Sequence, residues 1–269
     1  MLKLTDEDFN RLVAYFKAHY GINLQKKRIL IEGRLSNMLT EMGYTEYKPY
    51  LDKVLGPSGG KELVTLVNKL TTNHTFFLRE PEHFEFMKDV ILPYLEKTVK
   101  DHDIRIWCAA SSTGQEPYTL AMLLDEYFGD RKRLWDCKIL ATDISTDALT
   151  KAQAGIYSEE MVKDVPPRWK EKYFDSLGGG RYQVCERLRG EVIYRQFNLM
   201  DSITFKKPFD LISCRNVMIY FDGPTKVSLI ERLYDAVKPG GYFFIGHAEN
   251  VHKDTRFQFI KPAIYRRPL

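Results

Sequence analysis

From about residue 100 onward, short apolar runs alternate with segments of helical length, and this alternation constrains the fold more than any other feature of the chain. Residues 105–110 (RIWCAA), 138–142 (KILAT), 191–197, 209–214 and 241–246 read as strands. Helices fit residues 116–128, 146–154 and 224–237 between them. Apolar runs this short suit strands buried on both faces better than helices. Strands alternating with helices build a parallel sheet with right-handed crossovers. The closing FQFIKPAIYRR reads as an antiparallel addition to that sheet.

The first 90 residues carry a different period. Phe9, Leu12, Val13, Phe16 and Tyr20 share one helical face, and Gly21 follows as a stop. A second helix is expected over about 26–42, with Leu30, Ile31, Leu35, Met38, Leu39 and Met42 as its apolar stripe. Further helices fit 46–54 and 61–70, separated by GPSGG, and another starts at Glu80-Pro81-Glu82. Residues 156–190 interrupt the later rhythm. The triple glycine at 178–180 lies between two Tyr-containing segments as in a hairpin turn, so a small β excursion is expected there.

Composition narrows the function classes. A chain of 269 residues with 44% hydrophobic and 28% charged residues has enough apolar material for one or two cores and is not disordered. The formal net charge of +4 is too small for a general nucleic-acid binder. Cys108, Cys137, Cys185 and Cys214 form no CxxC pair and read as reduced thiols. The six histidines show no zinc spacing, so no metal is expected. MLKLTDEDFN is polar and acidic rather than secretory, and no apolar run reaches the length of a membrane span. The expectation is a cytoplasmic monomer.

In a parallel sheet, ligands bind at the carboxyl ends of the strands. The first strand ends in the small-residue loop Cys108-Ala-Ala-Ser-Ser-Thr-Gly114, which lets a backbone approach a ligand closely but is not a phosphate-binding GxGxxG. That absence disfavours a nicotinamide oxidoreductase. The second strand ends at Asp143. By position it is either a carboxylate for the two hydroxyls of a ribose or a helix-start residue before Ser145. Thr113 and Glu116 have capping-box spacing, with Thr113 as the expected N-cap. Glu116 could also face a cationic part of a ligand. Asn198-Leu199 and Arg215-Asn216 follow two further strands, which gathers polar residues at one edge of the sheet.

These features, with LTTNHTFFLRE (70–80), AASSTGQEPYTLAM (109–122), ATDIS (141–145), FNLMD (197–201) and CRNVMIYFD (214–222), closely resemble the chemotaxis receptor glutamate methyltransferases, the CheR family. The resemblance implies an α/β class I methyltransferase (Rossmann-like) fold with a mostly parallel sheet. It implies an all-α N-terminal domain over 1–70, a linker over 71–90 and a catalytic domain over 91–269 holding a small inserted β subdomain at about 156–190. The implied cofactor is S-adenosylmethionine, with S-adenosylhomocysteine as product. Asn73, Thr75, Arg79, Glu116, Asp143, Asn198, Leu199, Arg215 and Asn216 match the family's cofactor-binding positions, with Asp143 on the ribose. Arg79 and Tyr220 match the residues beside the transferred methyl group. On the residues alone, a class I methyltransferase with another substrate and a non-catalytic S-adenosylmethionine sensor stay open.

The implied partners are the cytoplasmic domains of methyl-accepting chemotaxis receptors. The charge distribution is consistent with an acidic protein partner. Residues 1–80 hold 12 basic and 9 acidic residues, whereas 81–269 hold 28 and 27. Lys17, Lys26, Lys27, Arg28 and Arg34 face only Glu32 within 17–34. Lys26, Lys27, Arg28 and Arg34 are therefore expected to dock glutamate-bearing receptor helices, although a solvated face has the same appearance.

Overall fold

The computed structural model describes residues 2–269. The helices α1 (Asp6–Tyr20), α2 (Arg28–Glu41), α3 (Tyr47–Val54) and α4 (Gly60–Leu70) pack around a core of their own. At the start of α1, Thr5 Oγ1 accepts the Asp8 amide at 3.1 Å, a cap worth about 1 kcal/mol. Phe9, Leu12, Val13 and Phe16 are buried as their spacing requires. Gly21 ends the helix at φ +69°, and a Cβ there would meet Met200 Sδ at 2.6 Å. This glycine therefore stops α1 and also lets the turn press against the sheet-bearing part of the chain. Helix α2 begins later than its stripe suggested. Lys26 and Lys27 lie in a turn closed by the Lys27 amide on Leu24 O at 2.9 Å. Met42 caps α2 rather than extending its stripe, and its side chain is exposed.

After a linker come α5 (Glu82–Phe86), a π-helical turn (Met87–Ile91) and α6 (Leu92–Thr98). Then follow β1 (Ile106–Cys108), α7 (Gln115–Phe128), β2 (Ile139–Asp143) and α8 (Thr146–Ala154). The excursion consists of β3 (Ile156–Ser158), α9 (Pro167–Tyr173), β4 (Phe174–Gly178), β5 (Arg181–Val184) and α10 (Glu186–Arg189). Strands β3, β5 and β4 form a separate antiparallel sheet in that order. The chain returns through β6 (Val192–Gln196), β7 (Phe209–Ser213), α11 (Gly223–Ala236), β8 (Val237–Phe244), β9 (Gln258–Lys261) and β10 (Ile264–Arg266).

The large sheet has the order β6-β2-β1-β7-β8-β10-β9. Its first five strands are parallel, and the last two pair antiparallel. The C-terminal addition is thus a two-strand hairpin rather than one strand. VKPGG belongs to the continuous strand β8, with a register shift against β7. Alternation along β1 supplies both faces of the sheet. Ile106 and Cys108 enter one apolar core and Trp107 the other. Trp107 is fully buried, and its Nε1–H donates to Thr142 Oγ1 at 2.9 Å.

Candidate functional site

The strand order reverses between β1 and β7. The loops leaving their carboxyl ends part there and open a cavity. It encloses about 1120 Å³, part of it open to solvent. All ten residues singled out in the sequence line it: Asn73, Thr75, Arg79, Glu116, Asp143, Asn198, Leu199, Arg215, Asn216 and Tyr220. The helical part supplies a further wall, with Tyr20, Ile22, Asn23, Leu24, Lys27 and Leu30.

Asp143 closes the far end of β2. Its two carboxylate oxygens accept the backbone amides of Ser112 at 2.8 Å and Ser145 at 2.9 Å. Burial pushes its carboxyl up, against the pull of the amides of Ser145, Ser112 and Ile144. Each oxygen keeps a lone pair, so the residue serves its own turn and can still accept from a diol. The expected capping box does not form. The N-cap of α7 is Gly114, at φ +96°, and it makes no side-chain cap. The Gly114 amide closes a turn on Ser111 O at 3.0 Å, and Thr113 Oγ1 bonds Gln115 Oε1 at 2.8 Å instead. A Cβ on Gly114 would meet the Tyr157 and Tyr194 hydroxyls at 2.9 Å. Glu116, at the second helical position, reaches across to β7. It accepts from Ser213 Oγ at 2.5 Å and pairs with Arg215 Nη1 at 3.1 Å.

Arg215 is the electrostatic centre of the site. Its buried guanidinium lies between Glu116 and Glu80, with Glu80 Oε2 at 3.2 Å, and it also donates to Arg79 O. Burial works against the charge on Glu80. The Arg215 guanidinium, the His247 amide and Asn216 nevertheless hold its carboxyl below the ordinary range. Buried charges arranged in this way are stable only together, because removing one partner leaves the other unpaired at about 3–5 kcal/mol.

Arg79 makes no ion pair with Glu80 or Glu82. Its Nη1 donates to His74 O at 2.9 Å, its Nη2 donates to Asn216 Oδ1 at 2.9 Å, and it lies over the Phe76 ring. Tyr220 ends a short 3₁₀ turn (Met218–Tyr220) and is half-buried on the cavity wall rather than packed in the core. Asn73 O accepts from Ser112 Oγ at 3.0 Å. Asn198 holds the two parts of the chain together, with its Nδ2 on His19 O at 2.8 Å. Leu78, Glu80, Ser112 and Asn216 all have φ between +49° and +58°. Side chains adopt this region at a cost of about 1–2 kcal/mol each, and such strain concentrates at functional sites.

Glu80 stands out in the sequence only as the start of a helix, because nothing local signals a pairing to Arg215 across 135 positions. Sequence reasoning also missed Ser213 and the helical wall. Glu80, His83 and His247 bring ligand-type atoms within 4.8 Å of one another. The same Glu80 carboxylate is already bound to the Arg215 cation, which disfavours a second positive charge there.

The basic segment divides in two. Lys26 and Lys27 are exposed. Arg28 donates to Leu4 O at 2.7 Å, pairs with Asp6 and covers the Phe9 ring. Arg34 donates to Lys69 O and Thr71 O at the end of α4. Among the described residues, no helix is long and apolar enough to cross a membrane.

Comparison with known proteins places these features in a family. A model described as "CheR methyltransferase, SAM binding domain" matches residues 73–265. One described as "CheR methyltransferase, all-alpha domain" matches residues 7–71. A chemotaxis protein methyltransferase of Borreliella burgdorferi is 40% identical over 271 residues, covering 99% of this chain and 96% of the relative. A probable chemotaxis protein methyltransferase of Rhizobium etli is 37% identical over 89% of this chain and 91% of its own length. The chemotaxis protein methyltransferase of Escherichia coli is 36% identical, with 98% and 92% covered.

Proposed function

The chain belongs to the CheR methyltransferase family and is an S-adenosylmethionine-dependent methyltransferase of chemotaxis with the class I fold; we propose that its methyl acceptor is the side-chain carboxylate of specific glutamates on chemoreceptor cytoplasmic helices. The observation that carries this reading is the setting of Arg79. A guanidinium is held at the cavity by Asn216 and His74 O, with the Tyr220 side chain on the same wall.

The donor set fits the cofactor. Asp143 offers two acceptor oxygens for the ribose hydroxyls, and the loop from Ala109 to Ser112 presents small residues and backbone. Glu116, Arg215, Asn216, Asn73 and Thr75 shape the remaining wall, with Asn198 and Leu199 at the adenine end. When bound, the cofactor supplies an activated methyl group on a sulfonium. The protein has to hold the acceptor in line and keep water away.

Two of the five Arg79 N–H groups are engaged by the protein, which leaves three for a substrate. A carboxylate accepts only, so a planar guanidinium and a phenol hydroxyl are matched donors for it. An ionised carboxylate already carries its nucleophilic lone pair. The new C–O bond forms as the C–S bond breaks, sulfur keeps the bonding pair, and no proton is transferred. A general base is therefore unnecessary.

Docking is assigned to the exposed Lys26 and Lys27 of the helical part, with Arg28 and Arg34 supporting that surface from inside. The reading is tested by incubating the protein with radiolabelled S-adenosylmethionine and a receptor cytoplasmic fragment. Label released from the receptor as methanol by mild base is the expected outcome. Base-stable label, label on another macromolecule, or cofactor binding without transfer would overturn the glutamate assignment.

A further inference from the structure

The loop that carries Asn216 and Tyr220 is held by a carboxylate from a different segment. Glu249 follows β8 in the sequence Gly246-His-Ala-Glu249 and is 5% exposed. Its Oε2 accepts the Asn216 amide at 2.9 Å and the Gly246 amide at 2.6 Å, while Oε1 accepts the Ile219 amide at 3.2 Å. Among the described residues, no Lys, Arg or His forms an ion pair with it. The charge is satisfied by backbone N–H groups of the site loop. Asn216 stands at φ +58°, a strained position that needs outside support. Gly246 makes room for it, since a Cβ there would lie 2.8 Å from Asn216 Cγ and Oδ1. The other side of Asn216 holds Arg79 Nη2 at 2.9 Å.

We infer that Glu249 is a positioning residue for methyl transfer: it anchors Asn216 in its left-handed conformation so that Asn216 can aim the Arg79 guanidinium at the acceptor carboxylate. The inference rests on the proposed role of Arg79. The chain of contact runs from Glu249 through the Asn216 backbone and the Asn216 amide group to Arg79, and so crosses three separate segments. Asp143 is anchored through β2 and lies outside this route, whereas Asn216 also donates to Glu80 Oε1 at 3.3 Å and lines the cofactor wall. Loss of Glu249 is therefore expected to lower turnover most, with a smaller weakening of cofactor binding, because Asp143 keeps its own anchor.

The test compares Glu249→Gln, Glu249→Asp and Gly246→Ala with wild type. It measures kcat and KM for receptor methylation, cofactor Kd by calorimetry and the thermal midpoint. In Glu249→Gln an amide N–H₂ opposes a backbone N–H, and kcat should fall about ten- to a hundredfold, as for other small misplacements of a reacting group. Cofactor Kd should weaken by a smaller factor than kcat falls, and Glu249→Asp, which keeps the charge, should recover part of the rate. In an Arg79→Ala background the same Gln substitution should cost far less than in wild type, because its main route of action is already gone. Gly246→Ala displaces Asn216 without touching the carboxylate and should give the same kcat loss, which keeps the inference testable if Glu249→Gln fails to fold. Wild-type kcat in Glu249→Gln or in a folded Gly246→Ala, or losses that multiply fully with Arg79→Ala, would overturn it. A wild-type protein that leaves the receptor unlabelled would instead overturn the glutamate reading, and the inference with it.

Discussion

Arg79 and Glu80 are adjacent in sequence and face different tasks. The Arg79 guanidinium lies at the cavity, with donors left over for a ligand, whereas Glu80 turns inward to Arg215. The backbone on either side of Arg79 is left-handed, at Leu78 and at Glu80. Arg79→Ala should lower receptor-methylation kcat by roughly ten- to a thousandfold with little change in thermal midpoint. Initial-rate kinetics alongside a melting curve check this, and unchanged turnover would remove Arg79 from the chemistry. Glu80 makes a pH prediction with a definite sign. Its carboxyl is held below the ordinary range in the folded protein, so at low pH the unfolded chain takes up the proton first. The stability it contributes is complete above its unfolded pKa and is lost as pH falls toward and through the folded value. Thermal midpoints recorded from about pH 5 down to about pH 3 should fall, and Glu80→Gln should flatten part of that slope. An identical slope in the variant would assign the acid sensitivity to other carboxylates.

At the scale of elements, the small antiparallel sheet props the cofactor loop. The Tyr157 hydroxyl on β3 donates to Thr113 O at 2.7 Å, and its ring meets the buried Phe77 of the linker edge-on at 4.9 Å. One tyrosine of the insertion thus supports both the loop before α7 and the segment that carries Arg79. Losing a hydrogen bond of this kind costs about 0.5–1.5 kcal/mol, so Tyr157→Phe should weaken cofactor binding about two- to tenfold. Calorimetric titration checks this, and an unchanged Kd would mean the loop keeps its shape without the hydroxyl. Much of the element layout was legible in the sequence. Gly21, Gly155 and the triple glycine at 178–180 each stand at positive φ where a helix or strand had to end. The start of α7 was misread for a physical reason. Thr113 and Glu116 have the spacing of a capping box, but the Thr113 carbonyl is claimed by Tyr157 and the turn at Gly114 delays the helix. Glu116 is thereby freed to reach β7. Pairings such as Glu80 with Arg215 leave no periodic trace, because their partners meet only once the sheet has formed.

At the scale of the whole molecule, the basic segment of the helical part divides into exposed and structurally engaged side chains, which charge counting cannot separate. Lys26 and Lys27 are exposed, while Arg34 is occupied with the carbonyls that end α4. Reversing both lysines to Glu should raise the KM for receptor several-fold, about threefold or more, with the thermal midpoint intact, and Lys26→Glu alone, away from the cavity wall, should leave cofactor Kd unchanged. Arg34→Glu should instead lower the midpoint. Equal KM values for wild type and the lysine double variant would return those side chains to the solvent. The seam between the two parts has a further consequence. The Asn23 amide bonds Tyr220 O at 2.8 Å, Asn198 bonds His19 O, and Lys17 bonds Asp222 at 2.8 Å, all beside the cavity. The cavity therefore lies at a seam, with walls drawn from both parts of the chain. By thermodynamic reciprocity, whatever factor the bound cofactor adds to the seating of the helices on the sheet, a receptor that presses those helices down returns to the affinity for cofactor.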